Sequence, residues 1–78
     1  MDIKILGTGC PKCQRLEQLT REVAAELGVE ATFEHVRDMA KIMEYPVIGT
    51  PALVIDGAVK VAGRMPSTEE LSQWLAPA

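Results

Sequence analysis

The chain has no run of 18 apolar residues and no charged-then-apolar leader, so as given it is expected neither to span a membrane nor to carry a secretion signal. It has no basic patch either. Eight Lys and Arg are scattered among eleven acids for a net charge of −3, which argues against nucleic acid as a partner. There are only two cysteines and one histidine, so a single chain falls short of the four ligands that a zinc site wants. No internal repeat, linker or low-complexity stretch divides the sequence. Seventy-eight residues make one domain, 1–78, with no room for a second. Nearly half of them are apolar (47%), enough for a modest packed core.

The two cysteines stand three positions apart in Gly7-Thr8-Gly9-Cys10-Pro11-Lys12-Cys13. Ile3, Ile5 and Leu6 form a short apolar segment before them. After them Leu16, Leu19, Val23 and Leu27 recur at close to helical spacing, so a strand hands over to a helix at Cys10. Pro11 suits the first helical position, where its missing N–H costs nothing and its fixed φ already matches. Cys10 is then the N-cap, with Cys13 one turn later on the same face. Free N–H groups of the first turn, the positive end of the helix dipole, and Lys12 and Arg15 nearby all favour a thiolate. Cys10 should therefore ionise below the free-thiol value of about 8.5.

A dithiol so placed can close without much backbone movement, and an attacking thiolate beside a resolving thiol is what disulfide exchange needs. Cys10 attacks and Cys13 resolves. A structural staple is the weaker reading, because so short a loop removes little entropy from the unfolded chain. CxxC spacing fits a reducing compartment, hence a cytoplasmic setting.

The remaining chain reads as strand, helix, strand, helix, strand, strand, helix. Asp2 to Leu6 is the first strand, and the first helix runs to about Leu27 with Gly28 as its C′ residue. The polar face of that helix, with Glu17, Gln18, Arg21, Glu22 and Glu26, is expected in solvent. Val29 to Val36 suits a strand near a sheet edge, with Ala31, Phe33 and His35 on one side. His35 is expected as a packed or half-exposed residue and not as a ligand. Asp38 caps a short helix to about Glu44, with Met39, Ile42 and Met43 inward. Ala52-Leu53-Val54-Ile55 reads as a strand buried on both faces, and Asp56-Gly57 as a two-residue hairpin turn into Ala58 to Ala62. Pro51 at the mouth of that strand cannot donate to the ladder and needs a special position, for which a cis Thr50–Pro51 bond is one solution. Ser67 and Glu70 form a capping box ahead of Leu71, Trp74 and Leu75. Strands separated by helices are expected to pair in parallel through right-handed crossovers, with the hairpin adding an antiparallel strand. The first helix then starts at the carboxyl end of a strand, where open α/β sheets place their chemistry.

Cys10-Pro11-Lys12-Cys13 after a first strand, followed by Gly49-Thr50-Pro51 opening a buried strand and Asp56-Gly57 at its hairpin, resembles the thioredoxin/glutaredoxin superfamily. The likeness is strongest to its small glutaredoxin-like thioredoxins of archaea and bacteria, the "redox-active disulfide protein" group. It covers nearly the whole chain. It implies an α/β minimal thioredoxin fold, βαβαββα, with a mixed four-stranded sheet and helices on both faces. It also implies Cys10 as exposed nucleophile, Cys13 as shielded resolving thiol, Pro51 as the family's cis-proline facing the disulfide, and the Thr50 backbone as a pairing edge for an extended substrate. Pro11 and Lys12 would lie against that substrate. Where thioredoxins bury a carboxylate beneath the site, this chain has Ile3, Lys4, Ile5 and Leu6.

The implied function is a monomeric dithiol-disulfide oxidoreductase that reduces protein disulfides, is recharged by a thioredoxin-reductase-type donor, and needs no cofactor or bound metal. Two alternatives stand beside it. One is metal or iron–sulfur binding through the CxxC, across a dimer. The other is a binding module in which the dithiol is vestigial and Met39, Met43 and Met65 serve a partner.

Overall fold

A computed structural model of the protein describes residues 1–9 and 11–76. Seven elements follow the expected order: β1 (Asp2–Leu6), α1 (Pro11–Leu27), β2 (Thr32–Val36), α2 (Met39–Ile42), β3 (Ala52–Ile55), β4 (Ala58–Ala62) and α3 (Thr68–Leu75). The four strands form one mixed sheet in the order β2-β1-β3-β4. β1 therefore lies inside the sheet, which suits a strand with Ile3, Ile5 and Leu6 all fully buried. β2 is the edge strand that its weaker alternation predicts.

Helices cover both faces. On one, Ile3, Ile5, Leu53, Ile55 and Val61 pack with Leu16, Val23 and Ala24 of α1 and Leu71 and Leu75 of α3. On the other, Leu6, Val36, Ala52 and Val54 pack with Ile42 of α2, flanked by Tyr45 and Val47. The four apolar residues of β3 are thus shared between two small cores, which is why that strand shows no polar alternation. Thr20 is the one buried polar residue among the described residues, and its hydroxyl is satisfied by donating to the Leu16 carbonyl at 2.7 Å. Trp74 is half-buried against the first core, as a packing residue.

Local signals end and start the elements as expected. α1 stops at Leu27, with Gly28 at φ +68° and the Val29 N–H returning to the Ala24 carbonyl at 3.0 Å. This is the C-terminal motif that a left-handed residue permits. Asp56 and Gly57 both take positive φ at the β3–β4 turn, the geometry of a tight hairpin whose twist matches its strands. Ser67 and Glu70 make the full reciprocal capping box of α3. Asp38 caps α2 through its carboxylate, which accepts from the Ala40 N–H at 2.9 Å.

Two expectations are corrected. β1 and β2 pair in parallel, but β3 runs antiparallel to β1. Val36 and Ala52 both pair with Leu6, so β3 starts at the end of the sheet where β2 stops and runs back along β1. Of the supposed inward face of α2, only Ile42 is buried. Met39 and Met43 are 51% and 76% exposed, because a single turn presents too narrow a stripe to bury three side chains.

Candidate active site

β1 ends at Leu6, and the N–H of the next residue, Gly7, donates to the Val36 carbonyl at 2.9 Å and so extends the β1–β2 ladder by one rung. α1 begins at Pro11, which is exposed, as is Lys12. Cys13, the third helical residue, is fully buried. A Cβ built on Gly7 would overlap the Cys13 Sγ and lie 3.1 Å from its Cβ. The sulfur therefore rests directly on the Gly7 backbone, and no side chain fits between. Cys10, and with it the expected N-cap and the facing of the two sulfurs, lies outside the described residues.

The register of the sheet brings the second motif to the same place. Leu6 pairs with Ala52 in the antiparallel β1–β3 ladder, so Pro51 stands across from Gly7 at the next position. Pro51 is buried and follows a cis Thr50–Pro51 bond, while Thr50 is exposed. The Pro51 carbonyl accepts from the Gly63 N–H at 2.9 Å, which ties the proline to the end of β4. Cys13, Gly7 and Pro51 are thus neighbours at the end of the sheet where β1 finishes. Beside them runs an apolar groove lined by Met39, Met43, Tyr45, Val47, Ile48 and Thr50. Ile48 is 97% exposed there.

Four residues of these elements and the loops beside them carry more structure than their sequence positions suggest. Glu17 is not on a purely solvated face. Its Oε1 lies 3.1 Å from Nδ1 of His35, and its Oε2 accepts from Nε of Arg21 at 3.2 Å. His35 is nearly enclosed, its side chain 11% exposed, and its Nε2 is buried with no hydrogen-bond partner among the described residues. Arg37 extends its guanidinium over the loop, so that a Cβ on Gly9 would meet Nη1 at 3.1 Å. Continuing the two-residue period of β2 from Phe33 through His35 to Arg37 is the signal that could have found it. Lys4, in the middle of β1, bonds the Asp2 carboxylate at 3.3 Å. That hydrogen bond holds the ammonium above its ordinary range, so Lys4 remains a cation and is not a proton acceptor.

Among the described residues, no three His, Cys, Asp or Glu side chains converge as a metal site would require. No helix among them is long and apolar enough to cross a membrane.

The chain is similar to a protein named Thioredoxin from Methanothermobacter thermautotrophicus, with 43% identity over 76 residues, 97% of this chain and 99% of the relative. A Thioredoxin from Methanocaldococcus jannaschii is 37% identical over 73 residues, 94% of this chain and 84% of the relative. A second Thioredoxin of that organism is 34% identical over 65 residues, covering 80% and 75%. The family model described as a Thioredoxin domain matches residues 1–76, and with a four-stranded mixed sheet, Cys13 on Gly7 and Pro51 alongside, the chain belongs to the thioredoxin-domain family.

Proposed function

We propose that this chain is a dithiol-disulfide oxidoreductase acting on protein disulfides. The family and the relatives named Thioredoxin support thiol–disulfide redox chemistry in general. The observation that carries the finer reading is the position of Cys13. It is buried within the first turn of a helix that starts at the end of β1, against Gly7 and beside Pro51.

In this reading the Cys10 thiolate attacks a sulfur of the partner's disulfide and releases the other partner sulfur as a thiolate. Cys13 then attacks Cys10 in the mixed disulfide. The Cys10–Cys13 bond forms, the Cys10–partner bond breaks, and two electrons have passed to the partner. The exposed Thr50 edge pairs with an extended partner segment, Pro11 and Lys12 flank it, and the groove at Met43 and Ile48 takes an apolar side chain of it. The chain works as a monomer in the cytoplasm, recharged by a thioredoxin-reductase-type donor.

Insulin reduction with recharging by an excess of a small dithiol tests this. The native chain is expected to turn over, Cys10→Ser to be inactive, and Cys13→Ser to accumulate a covalent mixed disulfide visible by mass. Native turnover in Cys10→Ser would remove that sulfur from the mechanism.

A further inference from the structure

The positive charges of this chain are unevenly paired. Of its eight Lys and Arg, Lys4, Arg21 and Arg64 each hold a carboxylate, at 3.3, 3.2 and 2.8 Å. Lys12, Arg15, Arg37, Lys41 and Lys60 hold none among the described residues. Two of these five are easily placed elsewhere. Lys41 has Asp38 and Glu44 three positions to either side, and Lys60 lies on β4, at the far edge of the sheet.

The other three gather at the dithiol end. Lys12 and Arg15 are exposed at the start of α1, and no acid stands anywhere from Gly7 to Leu16. Arg37 is exposed just past the last residue of β2. The packing of α1 along β2 brings it to the same place. Arg21 sets its guanidinium 4.3 Å from the centre of the Phe33 ring, and Glu17 meets His35 at 3.1 Å. Each step takes four helix residues, about 6 Å, against two strand residues, about 6.6 Å. One further step sets Arg37 beside the first turn of α1. The glycine loop gives the same placement, since a Cβ on Gly9 would meet Arg37 Nη1 at 3.1 Å, and Cys10 is the next residue in the sequence.

The guanidinium there is unspent. Asp38, its neighbour in the chain, turns its carboxylate to the Ala40 N–H at 2.9 Å instead. A planar guanidinium presents its N–H donors in a fork that fits both oxygens of one carboxylate. Residues 46–55 on the other side of the site carry no charge, and the groove there is apolar. A net charge of −3 gives the chain as a whole no attraction for an acidic protein. The three cations therefore act on the part of a partner that comes to rest at the dithiol.

We propose that Arg37, with the added charge of Lys12 and Arg15, selects partner proteins whose reactive cysteine is flanked by Asp or Glu, and that Arg37 clamps one such carboxylate. The proposal rests on the oxidoreductase reading above and names the substrate class that this site favours. Complementary charge of this kind sets which partner docks and how fast, more than how tightly it is held.

Peptides that carry a 2-pyridyl disulfide on a central cysteine test this, because attack by the reduced chain on the peptide sulfur releases pyridine-2-thione, whose absorbance gives the rate. Peptides with Glu on both sides of the cysteine are compared with peptides carrying Gln there. At low salt the Glu-to-Gln rate ratio is expected to be about 5-fold lower in Arg37→Gln than in the native chain, the worth of a good exposed ion pair. High salt should bring the two ratios together. Lys60→Gln, which removes an equal charge far from the site, should keep the native ratio. An unchanged ratio in Arg37→Gln would overturn the proposal. So would an equal fall with both peptides, which puts Arg37 to work on the chain's own thiolate, or an equal loss of preference in Lys60→Gln, which traces it to net charge. Absence of thione release from the native chain with either peptide would instead refute the oxidoreductase reading itself.

Discussion

Replacing Gly7 by alanine tests the close approach on which the site is built. The new methyl would overlap the Cys13 Sγ and come within 3.1 Å of its Cβ, and both residues are buried. Overpacking of this kind costs typically 1–3 kcal/mol, so about 2 kcal/mol is expected for Gly7→Ala. In a domain of this size that lowers Tm by roughly 8–16 °C. Gly28→Ala is the control. Its Cβ would touch nothing within 4 Å, so the left-handed φ alone should cost about 1 kcal/mol. The decisive measurement is a double-mutant cycle. In a Cys13→Ala background the sulfur is gone, and Gly7→Ala should lose most of its penalty, a coupling of about 1–2 kcal/mol in urea unfolding. Strictly additive effects would refute the placement of Cys13 on Gly7, and with it the reason for a glycine there.

Acid stability should carry the signature of α3. The hydrogen bonds from Arg64, then from the Ser67 backbone, lower the Glu70 carboxyl to about 2. A depressed carboxyl adds stability above the ordinary carboxylate range and loses it as pH falls toward about 2. Glu70→Gln keeps a capping residue but not the charge. Its deficit against the native chain in pH-dependent unfolding should be full near neutrality and vanish toward pH 2, and a deficit constant with pH would contradict this. At the groove, Ile48→Ser should change stability by no more than about 0.5 kcal/mol, because the side chain is 97% exposed. It should nevertheless raise KM for a protein disulfide while leaving reaction with a small disulfide unchanged, and equal kinetics on both would remove the groove from partner recognition.

The local signals were legible because each depends on residues a few positions apart. Pro11 after a glycine-rich loop, Gly28 after Leu27, Asp56-Gly57 and the Ser67/Glu70 box all formed where expected. The apolar run of β3 was buried throughout. The family and its fold were legible for a similar reason, since the motifs that carry the resemblance are short and stand in a fixed order. The expected helix over residues 38–44 shrank to one turn, because isolated apolar residues at helical spacing do not fix how wide a stripe the sheet can cover. Glu17 read as solvent-facing because helical periodicity separates polar from apolar residues. It says nothing of a polar partner arriving from a distant strand.

The sequence by itself thus determined the order of the elements, the start of the first helix at Pro11 and the Thr50–Pro51 pair at the mouth of β3. Only the tertiary structure decided the antiparallel direction of β3, the seating of Cys13 on Gly7 opposite Pro51, and the Glu17–His35 contact. Each of these joins residues far apart in the chain. Their juxtaposition follows from strand register and from the packing of α1 against the sheet, which no local pattern encodes.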